Sequence, residues 1–332
     1  MNKKFLIVIL RFHGDVLLTK PMIDNIKLNV PDSEIDLLVY KGTGSILEHE
    51  RNVSETIEID AASKQNIFTR IKKEINLWKK LSLKKYDYAF FLTTQWRVVP
   101  ISWALGKAMK AAVDDKKRRK NLWIKSFSAI FPEALENHVI QRNLLALESL
   151  GLKIFTENLT LDPSYLDIEY KTLKETYPFL KEGNSYCLIH PTSRREKKLW
   201  DKEKFGQLIN LLLQKDLSVV VTSGPDSNEI DYVDEILKKA GVVNKKVLNL
   251  AGKTSLLGLA ALIKGSQFFI GLDSVASHIA ASVDKESITL FGPSNPVNWK
   301  PWSDKARIIT QEDLRYIEVK DVMSLVDEMP VE

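Results

Sequence analysis

The sequence predicts an α/β protein built from two doubly wound domains, each with a parallel sheet covered by helices. Short continuous apolar runs, such as "FLIVIL" and "LSVVVTSG", alternate with longer segments of helical periodicity. Runs without polar alternation are typical of strands that are buried on both faces. The alternation stops between residues 153 and 183 and then restarts, which in a chain of 332 residues indicates two domains.

The first half supplies three predicted strands and four predicted helices. The strands are "KFLIVIL", "EIDLLVY" and "YDYAFFLTT". The helices are "PMIDNIKLNV", "TRIKKEINLWKKLSL", "VVPISWALGKAMK" and "HVIQRNLLALESLGL", the last with Gly151 as a stop signal.

The second half repeats this pattern more clearly. Its predicted strands are "YCLIH", "LSVVVTSG", "KVLNLAG", "QFFIGLD" and "ESITLFG", with helical segments between them. We predict domains at 1–160 and 183–310, joined by a linker with a capping helix at 161–182 and followed by closing helices at 311–332.

Composition excludes several classes of protein. The chain is 44% hydrophobic and 27% charged, and no run approaches the ~18 apolar residues of a membrane span. The single cysteine, Cys187, excludes an internal disulfide framework and favours a reducing compartment. We therefore expect a cytoplasmic protein, with a net charge of +5 and its cations concentrated in 71–85 and 114–121.

Polar residues follow five of the predicted strands. These segments are "HGD" (13–15), "PTSRREKKLW" (191–200), "SGPDSNE" (223–229), "DSVASH" (273–278) and "GPSNPVNWKPW" (292–302). In open α/β sheets, ligands bind outside the carboxyl ends of the strands. This pattern predicts a ligand cleft between the two domains.

The segment around residue 273 predicts a diphosphate site. Asp273 or Ser274 is placed to cap a helix that begins near Val275, and the free N–H groups of its first turn suit an anion. His278 lies about one turn further along this helix. The alternative is an ordinary helix start with a buried, hydrogen-bonded histidine.

Four other residues of the second half are candidate contacts of the same ligand. Lys198 offers a positive charge, Thr192 and Ser193 offer hydroxyls, and Glu229 can accept hydrogen bonds from sugar hydroxyls. The alternatives are a solvated basic loop and a glutamate in the first turn of a helix. The sequence contains neither GxGxxG nor GxxxxGK[ST], and no pattern of metal ligands, so we expect no metal and no cofactor.

Asp15 is the candidate catalytic residue of the first half. A carboxylate facing a bound nucleotide sugar can accept the proton of an acceptor hydroxyl as that oxygen attacks the anomeric carbon. Positive charge beside the diphosphate would stabilise the leaving nucleotide. This is the design of an inverting glycosyl transfer, whereas the alternative role of Asp15 is a helix N-cap.

The motifs together resemble glycosyltransferase family nine, the bacterial lipopolysaccharide heptosyltransferases, which have the GT-B fold of two facing Rossmann-like domains with an interdomain cleft. The similar segments are "GDVLLTKP", "YDYAFFL", "HVIQRNLLAL", "KKLW", "GLDSVASHIAA" and "LFGPSNPVNWKPW". They span nearly the whole chain in the family's order. "RFHGD" is most similar to the subgroup that adds the third, side-branch heptose of the inner core.

The resemblance implies ADP-L-glycero-β-D-manno-heptose as donor and the core oligosaccharide of lipid A as acceptor, heptose III being added to heptose II. It implies Asp15 as the base and a donor set of Thr192, Ser193, Lys198, Glu229, Asp273, Ser274 and His278. Two features depart from the family pattern. Val275 stands where many members have Gly, and Lys198 is chosen over Lys197 only by its spacing from Trp200.

The basic stretches suggest contacts with an anionic acceptor. His13, Arg118, Arg119 and Lys120 are expected acceptor contacts, and the cations of 116–120 also suit the cytoplasmic face of the inner membrane. Trp78, Leu77 and Leu81 are expected in the core stripe of a helix rather than at a membrane.

Other functions remain open from the sequence. They are a family-nine transferase with another acceptor or sugar nucleotide, and a non-catalytic nucleotide-binding scaffold of envelope assembly. A nucleotide-sugar epimerase is disfavoured because the glycine fingerprint is missing. A nucleic-acid binder is disfavoured because the "KKRRK" run has only Trp123 as a nearby aromatic residue.

Overall fold

The computed structural model describes residues 2–61, 66–114, 121–181, 185–241 and 245–329. The chain divides into two compact units, residues 1–158 and 159–332. Within these described ranges, no helix combines the length and the apolar character needed to cross a membrane.

In the described part of the first unit, six parallel strands form a sheet with the order β3-β2-β1-β4-β5-β6. The strands are β1 (Lys4–Ile9), β2 (Glu34–Tyr40), β3 (Glu55–Ile59), β4 (Tyr88–Phe91), β5 (Met109–Asp114) and β6 (Ala129–Pro132). The helices are α1 (His13–Leu17), α2 (Lys20–Asn29), α3 (Ile67–Lys84), α4 (Val98–Ala104), α5 (Asn121–Lys125) and α6 (Val139–Glu148).

The described part of the second unit contains another six-stranded parallel sheet, with the order β12-β11-β10-β7-β8-β9. Its strands are β7 (Tyr186–His190), β8 (Ser218–Ser223), β9 (Val247–Ala251), β10 (Phe269–Leu272), β11 (Ser287–Phe291) and β12 (Ala306–Thr310). Its helices are α7 (Pro163–Thr176), α8 (Pro178–Lys181), α9 (Lys202–Gln214), α10 (Ser227–Lys239), α11 (Leu256–Gly265), α12 (Val275–Ser282), α13 (Pro296–Trp299) and α14 (Val319–Asp327).

The two sheets have the same topology, and this topology indicates where each would bind a ligand. In each, the chain first winds outwards in one direction and then returns to wind in the other. The order reverses between β1 and β4 in the first unit and between β7 and β10 in the second. A crevice for a ligand forms at such a switch point, outside the carboxyl ends of the two strands.

The predicted strands were expected to be buried on both faces, and their burial confirms this. β7 and β11 are buried along their whole length, and β1 is buried after its first residue. Cys187 lies inside β7 as a small core residue, and burial raises the pKa of its thiol to about 12.

Four strands were not predicted: β3, β5, β6 and β12. Three of them are edge strands, whose half-buried positions break the apolar run, as in "ETIEI". The predicted helix 98–110 was too long: it ends at Ala104, and its last two residues begin β5. Gly106, with a φ of +58°, turns the chain between the two elements.

The segment expected as a linker lies within the second unit. It contains α7 and α8, and α7 packs against α11. The expected closing helices are a short 3₁₀ turn at Leu314–Tyr316 and α14, which packs against α9.

Candidate active site

Asp15 lies at the switch point of the first unit. It is the third residue of α1, which follows β1 after a short turn, and Phe12 occupies the N-cap position. Asp15 is therefore not the N-cap of this helix. Its Oδ1 lies 3.6 Å from Nη1 of Arg11, and its side chain is 13% exposed. This leaves a carboxylate oriented by a cation and accessible at the ligand edge of the sheet.

The expected acceptor contacts are only partly described. His13 is the first residue of α1, two residues before Asp15, and its side chain is half-buried. Arg118, Arg119 and Lys120 lie outside the described residues.

A further cation of the first unit was not predicted from the sequence. Arg142 of α6 is half-buried, and burial lowers the pKa of its guanidinium. Its Nη2 lies 3.6 Å from Oε1 of Glu133, which opposes this shift, while the positive charge of Arg11 adds to it. Arg142 is therefore a half-buried cation that suits an anionic ligand.

In the second unit, Lys198 and Asp273 form a buried ion pair. Nζ of Lys198 lies 2.5 Å from Oδ2 of Asp273, and the two side chains are 15% and 6% exposed. Lys197, the neighbouring candidate, is exposed. Lys198, chosen from its spacing to Trp200, stays the predicted ligand of the diphosphate.

Ser274 and His278 lie on the same helix start. α12 begins at Val275 with Ser274 at the N-cap position, as predicted, but the side chain of Ser274 makes no capping hydrogen bond. Oγ of Ser274 and Nδ1 of His278 are buried and have no hydrogen-bond partner among the described residues. Burial lowers the pKa of His278 to about 4; Lys198 lowers it further and Asp273 opposes the shift. A polar ligand beside the Lys198–Asp273 pair would supply hydrogen-bond partners for these two atoms.

Thr192 and Glu229 are joined in a hydrogen-bonded network. Oε2 of Glu229 accepts hydrogen bonds from the Thr192 hydroxyl, at 2.6 Å, and from the backbone N–H of Gly224, at 3.0 Å. A Cβ atom at Gly224 would lie 2.9 Å from Oε2, so only glycine leaves this carboxylate in place. Ser193, the remaining candidate, is half-buried in the same loop.

Sequence reasoning missed the two residues that extend this network. Nδ1 of His190, at the end of β7, lies 3.0 Å from Oγ1 of Thr222 in β8, and its Nε2 lies 3.4 Å from Oγ1 of Thr192. His190 is buried, and burial lowers its pKa to about 4, so the ring is neutral near pH 7. Both residues lie inside predicted strands, where they resemble core positions.

These residues meet at one edge of the second sheet. β7 and β10 are neighbours, with His190 paired to Gly271, so the loops that follow them carry Thr192, Lys198 and Asp273 at the same edge. The arrangement supplies a cation and a helix N-terminus for an anion, and hydroxyl and carboxylate groups for polyol hydroxyls.

The two buried histidines predict acid sensitivity. Because their folded pKa of about 4 lies below the unfolded value of 6.5, the unfolded chain binds more protons between these values, and stability falls as the pH drops. From about pH 7 to about pH 5 we expect each histidine to remove about 2 kcal/mol from the free energy of unfolding. Urea denaturation at both pH values, with wild type and His190→Gln, measures this. An equal pH dependence in the two proteins would contradict it.

The fold is shared with solved heptosyltransferases. The Escherichia coli ADP-heptose lps heptosyltransferase II superposes with a TM-score of 0.80 at 18% identity, covering 98% of both chains. The E. coli heptosyltransferase WaaC with ADP-2-deoxy-2-fluoro heptose superposes with a TM-score of 0.78 at 20% identity, covering 98% of this chain and 99% of that one. The protein is thus an α/β protein of the GT-B fold.

Sequence comparison gives the family. The profile of glycosyltransferase family 9 (heptosyltransferase) matches residues 75–325. Lipopolysaccharide heptosyltransferase 3 of E. coli strain K12 is 37% identical over 295 residues, which cover 89% of this chain and 84% of that protein. The chain belongs to glycosyltransferase family 9 and is a heptosyltransferase enzyme. This membership removes the scaffold alternative.

Proposed function

We propose that the protein transfers L-glycero-D-manno-heptose from ADP-heptose to the inner core of lipopolysaccharide, adding heptose III to heptose II. The observation that carries this proposal is the 37% identity to a lipopolysaccharide heptosyltransferase 3 over most of both chains. A second protein of that name in E. coli is 35% identical over 94% of this chain.

The second unit binds the donor. Lys198 and the N-terminus of α12 contact the diphosphate, with Asp273 holding the ammonium group in place. Thr192, Ser193 and Glu229 contact sugar hydroxyls of the donor, and Ser274 and His278 complete their hydrogen bonds with it. The fold of a heptosyltransferase solved with an ADP-heptose analogue supports this assignment.

The first unit binds the acceptor and supplies the base. Asp15 accepts the proton of the acceptor hydroxyl as the oxygen attacks the anomeric carbon. The bond from the anomeric carbon to the diphosphate oxygen breaks, and Lys198 stabilises the charge on the departing ADP. Because one displacement occurs at the anomeric carbon, its configuration inverts.

Anionic groups of the acceptor require cations in the first unit. Arg11, which lies 3.6 Å from Asp15, and the half-buried Arg142 are described candidates, and Arg118, Arg119 and Lys120 remain predicted contacts. Since this acceptor is anchored in a lipid leaflet, the enzyme works in the cytoplasm, in peripheral contact with the inner membrane.

Substituting Glu229 tests the donor network. In Glu229→Gln we expect the KM for ADP-heptose to rise at least about tenfold with little change in kcat, because a charge-assisted hydrogen bond to a donor hydroxyl is lost. Steady-state kinetics at fixed acceptor concentration measures both constants. Glu235→Gln is the matched control, since Glu235 lies on the same helix and pairs with Lys202 at the surface. A changed kcat with an unchanged KM would contradict this role.

The proposed function is tested by mass spectrometry of purified core lipopolysaccharides. We expect one heptose to be added to a core that ends before heptose III, and none to a core that already carries it. Omitting ADP-heptose, or replacing it with a uridine diphosphate sugar, should give no product. Transfer to a core that lacks heptose II, or from the uridine diphosphate sugar, would favour the alternative acceptor or donor.

A further inference from the structure

Helix α3 exposes a row of large apolar side chains that the core does not use. They are Phe68 (77% exposed), Ile67 (60%), Ile71 (51%) and Ile75 (40%), hereafter the α3 apolar stripe. At 3.6 residues per turn these four side chains occupy an arc of about 100° on the helix. The packed part of α3 lies in its later turns and consists of Leu77 and Leu81, with Trp78 half-buried, as the sequence predicted.

Three cations that form no ion pair with other described residues flank the α3 apolar stripe. Lys72 and Lys79 lie just beyond Phe68 on one side of the helix, and Arg70 lies beyond Ile67 on the other. Among the described residues none of these three forms an ion pair, whereas Lys73 and Lys80 pair with Asp60 and Glu55. The surface is therefore apolar in the centre and positive at its margins.

The exposed half of α3 is held in a fixed direction. Arg97 donates a hydrogen bond to the carbonyl of Asp60 at 2.6 Å and pairs with Glu74, while Lys73 lies 2.6 Å from the Asp60 carboxylate. Asp60 directly follows β3, so these bonds tie the start of the helix to the carboxyl edge of the sheet. Asp15 follows β1 at that same edge.

A second helix adds to the same surface character. α5, which follows β5 at this edge, exposes Leu122 and Ile124 next to Lys125. Its buried Trp123 belongs to the same core cluster as Leu77 and Leu81 of α3, so both helices lie on one face of the sheet.

We propose that the α3 apolar stripe with Lys72, Lys79 and Arg70 docks on the surface of an anionic lipid bilayer. A helix with one apolar face, bordered by lysine and arginine, lies in a membrane interface with its apolar side chains below the headgroups. Negative headgroups complement the charges of Lys72, Lys79 and Arg70. A protein that bound only the apolar patch would not require these three cations. This inference rests on the proposed function, because it presents Asp15 to an acceptor anchored in that bilayer.

The test is co-sedimentation of the full chain with vesicles of phosphatidylcholine, with and without phosphatidylglycerol, in the absence of ADP-heptose. We expect binding to the anionic vesicles that weakens with added salt. Phe68→Ser/Ile71→Ser should reduce binding at least about tenfold. Lys72→Gln/Lys79→Gln should reduce it about tenfold, and only for vesicles that contain phosphatidylglycerol.

Matched controls come from exposed residues of the second unit. Ile168→Ser/Tyr316→Ser removes similarly exposed apolar side chains, and Lys171→Gln/Lys238→Gln removes two exposed lysines that form no ion pair with other described residues. Both double variants should bind vesicles like wild type. Thermal unfolding of every variant establishes that it is folded.

Three results would overturn the proposal. The first is no binding of wild type to anionic vesicles, and the second is vesicle binding that the α3 substitutions leave unchanged. The third is that the α3 variants lose heptose transfer to a deacylated, water-soluble core oligosaccharide as much as transfer to the intact lipopolysaccharide. The last would make α3 a surface for the acceptor saccharide. Vesicle binding that follows the expected pattern, without any heptose transfer, would instead count against the proposed function alone.

Discussion

Asp15→Asn is expected to lower kcat for heptose transfer by about 10²–10⁴-fold, the range typical of general-base catalysis. Asparagine keeps the size of the side chain but cannot accept a proton in the transition state. Since the proposed donor residues lie in the second unit, the affinity for ADP should change little. Transfer is followed by mass spectrometry and ADP affinity by calorimetry.

The control for this substitution is Asp32→Asn. Asp32 is an exposed carboxylate of the same unit and lies just before β2, at the opposite edge of the sheet from Asp15. It should leave both kcat and ADP affinity unchanged. An Asp15→Asn enzyme that retains wild-type kcat would show that another group removes the proton.

Lys198→Met is expected to produce two effects at once. Loss of the positive charge that we propose lies beside the diphosphate should lower kcat/KM for ADP-heptose by about 10²–10³-fold. It also leaves Asp273 buried without its cation, and breaking such a pair costs about 3–5 kcal/mol of stability. Kinetics and urea denaturation measure the two effects separately.

The double variant Lys198→Met/Asp273→Asn separates catalysis from folding. Neutralising both partners removes the isolated buried charge, so we expect most of the lost stability to return. Transfer should stay low, because the charge for the diphosphate is still missing. Recovery of activity together with stability would mean that Lys198 acts only by holding the fold.

Most of the strands inside the two sheets, and the edge strand β9, were predicted from the sequence. β2 and β7 have the predicted bounds because most of their buried positions are apolar, with Asp36 and His190 as the exceptions. The edge strands β3, β6 and β12 were missed, since one side of each faces away from the sheet and tolerates polar residues. β5, "MKAAVD", was missed because alanine carries little strand signal.

The sequence indicated those candidate site residues that follow a strand, and it did not indicate those that lie within a strand. Asp15, Lys198 and Asp273 come after predicted strands, at the edge where a ligand is expected. His190 and Thr222 are strand residues, and only the pairing of β7 with β8 places them together. Arg142 lies within helix α6 and not after a strand, so the strand ends did not point to it.

The apolar residues of α3 show a similar limit. Isoleucine and phenylalanine at helical spacing predict a core-facing stripe, but the helix extends beyond the core that Leu77 and Leu81 contact. The sequence gives the period of the pattern, whereas the length of the underlying core decides which turns are covered.

The stereochemistry of the new linkage tests the mechanism most directly. Wild-type enzyme would be incubated with ADP-L-glycero-β-D-manno-heptose and a core that ends before heptose III. NMR of the product then gives the anomeric configuration of the added heptose. A single displacement with Asp15 as base predicts an α-linked heptose, inverted from the donor. A β-linked heptose would mean retention through a second displacement, and would contradict the role assigned to Asp15.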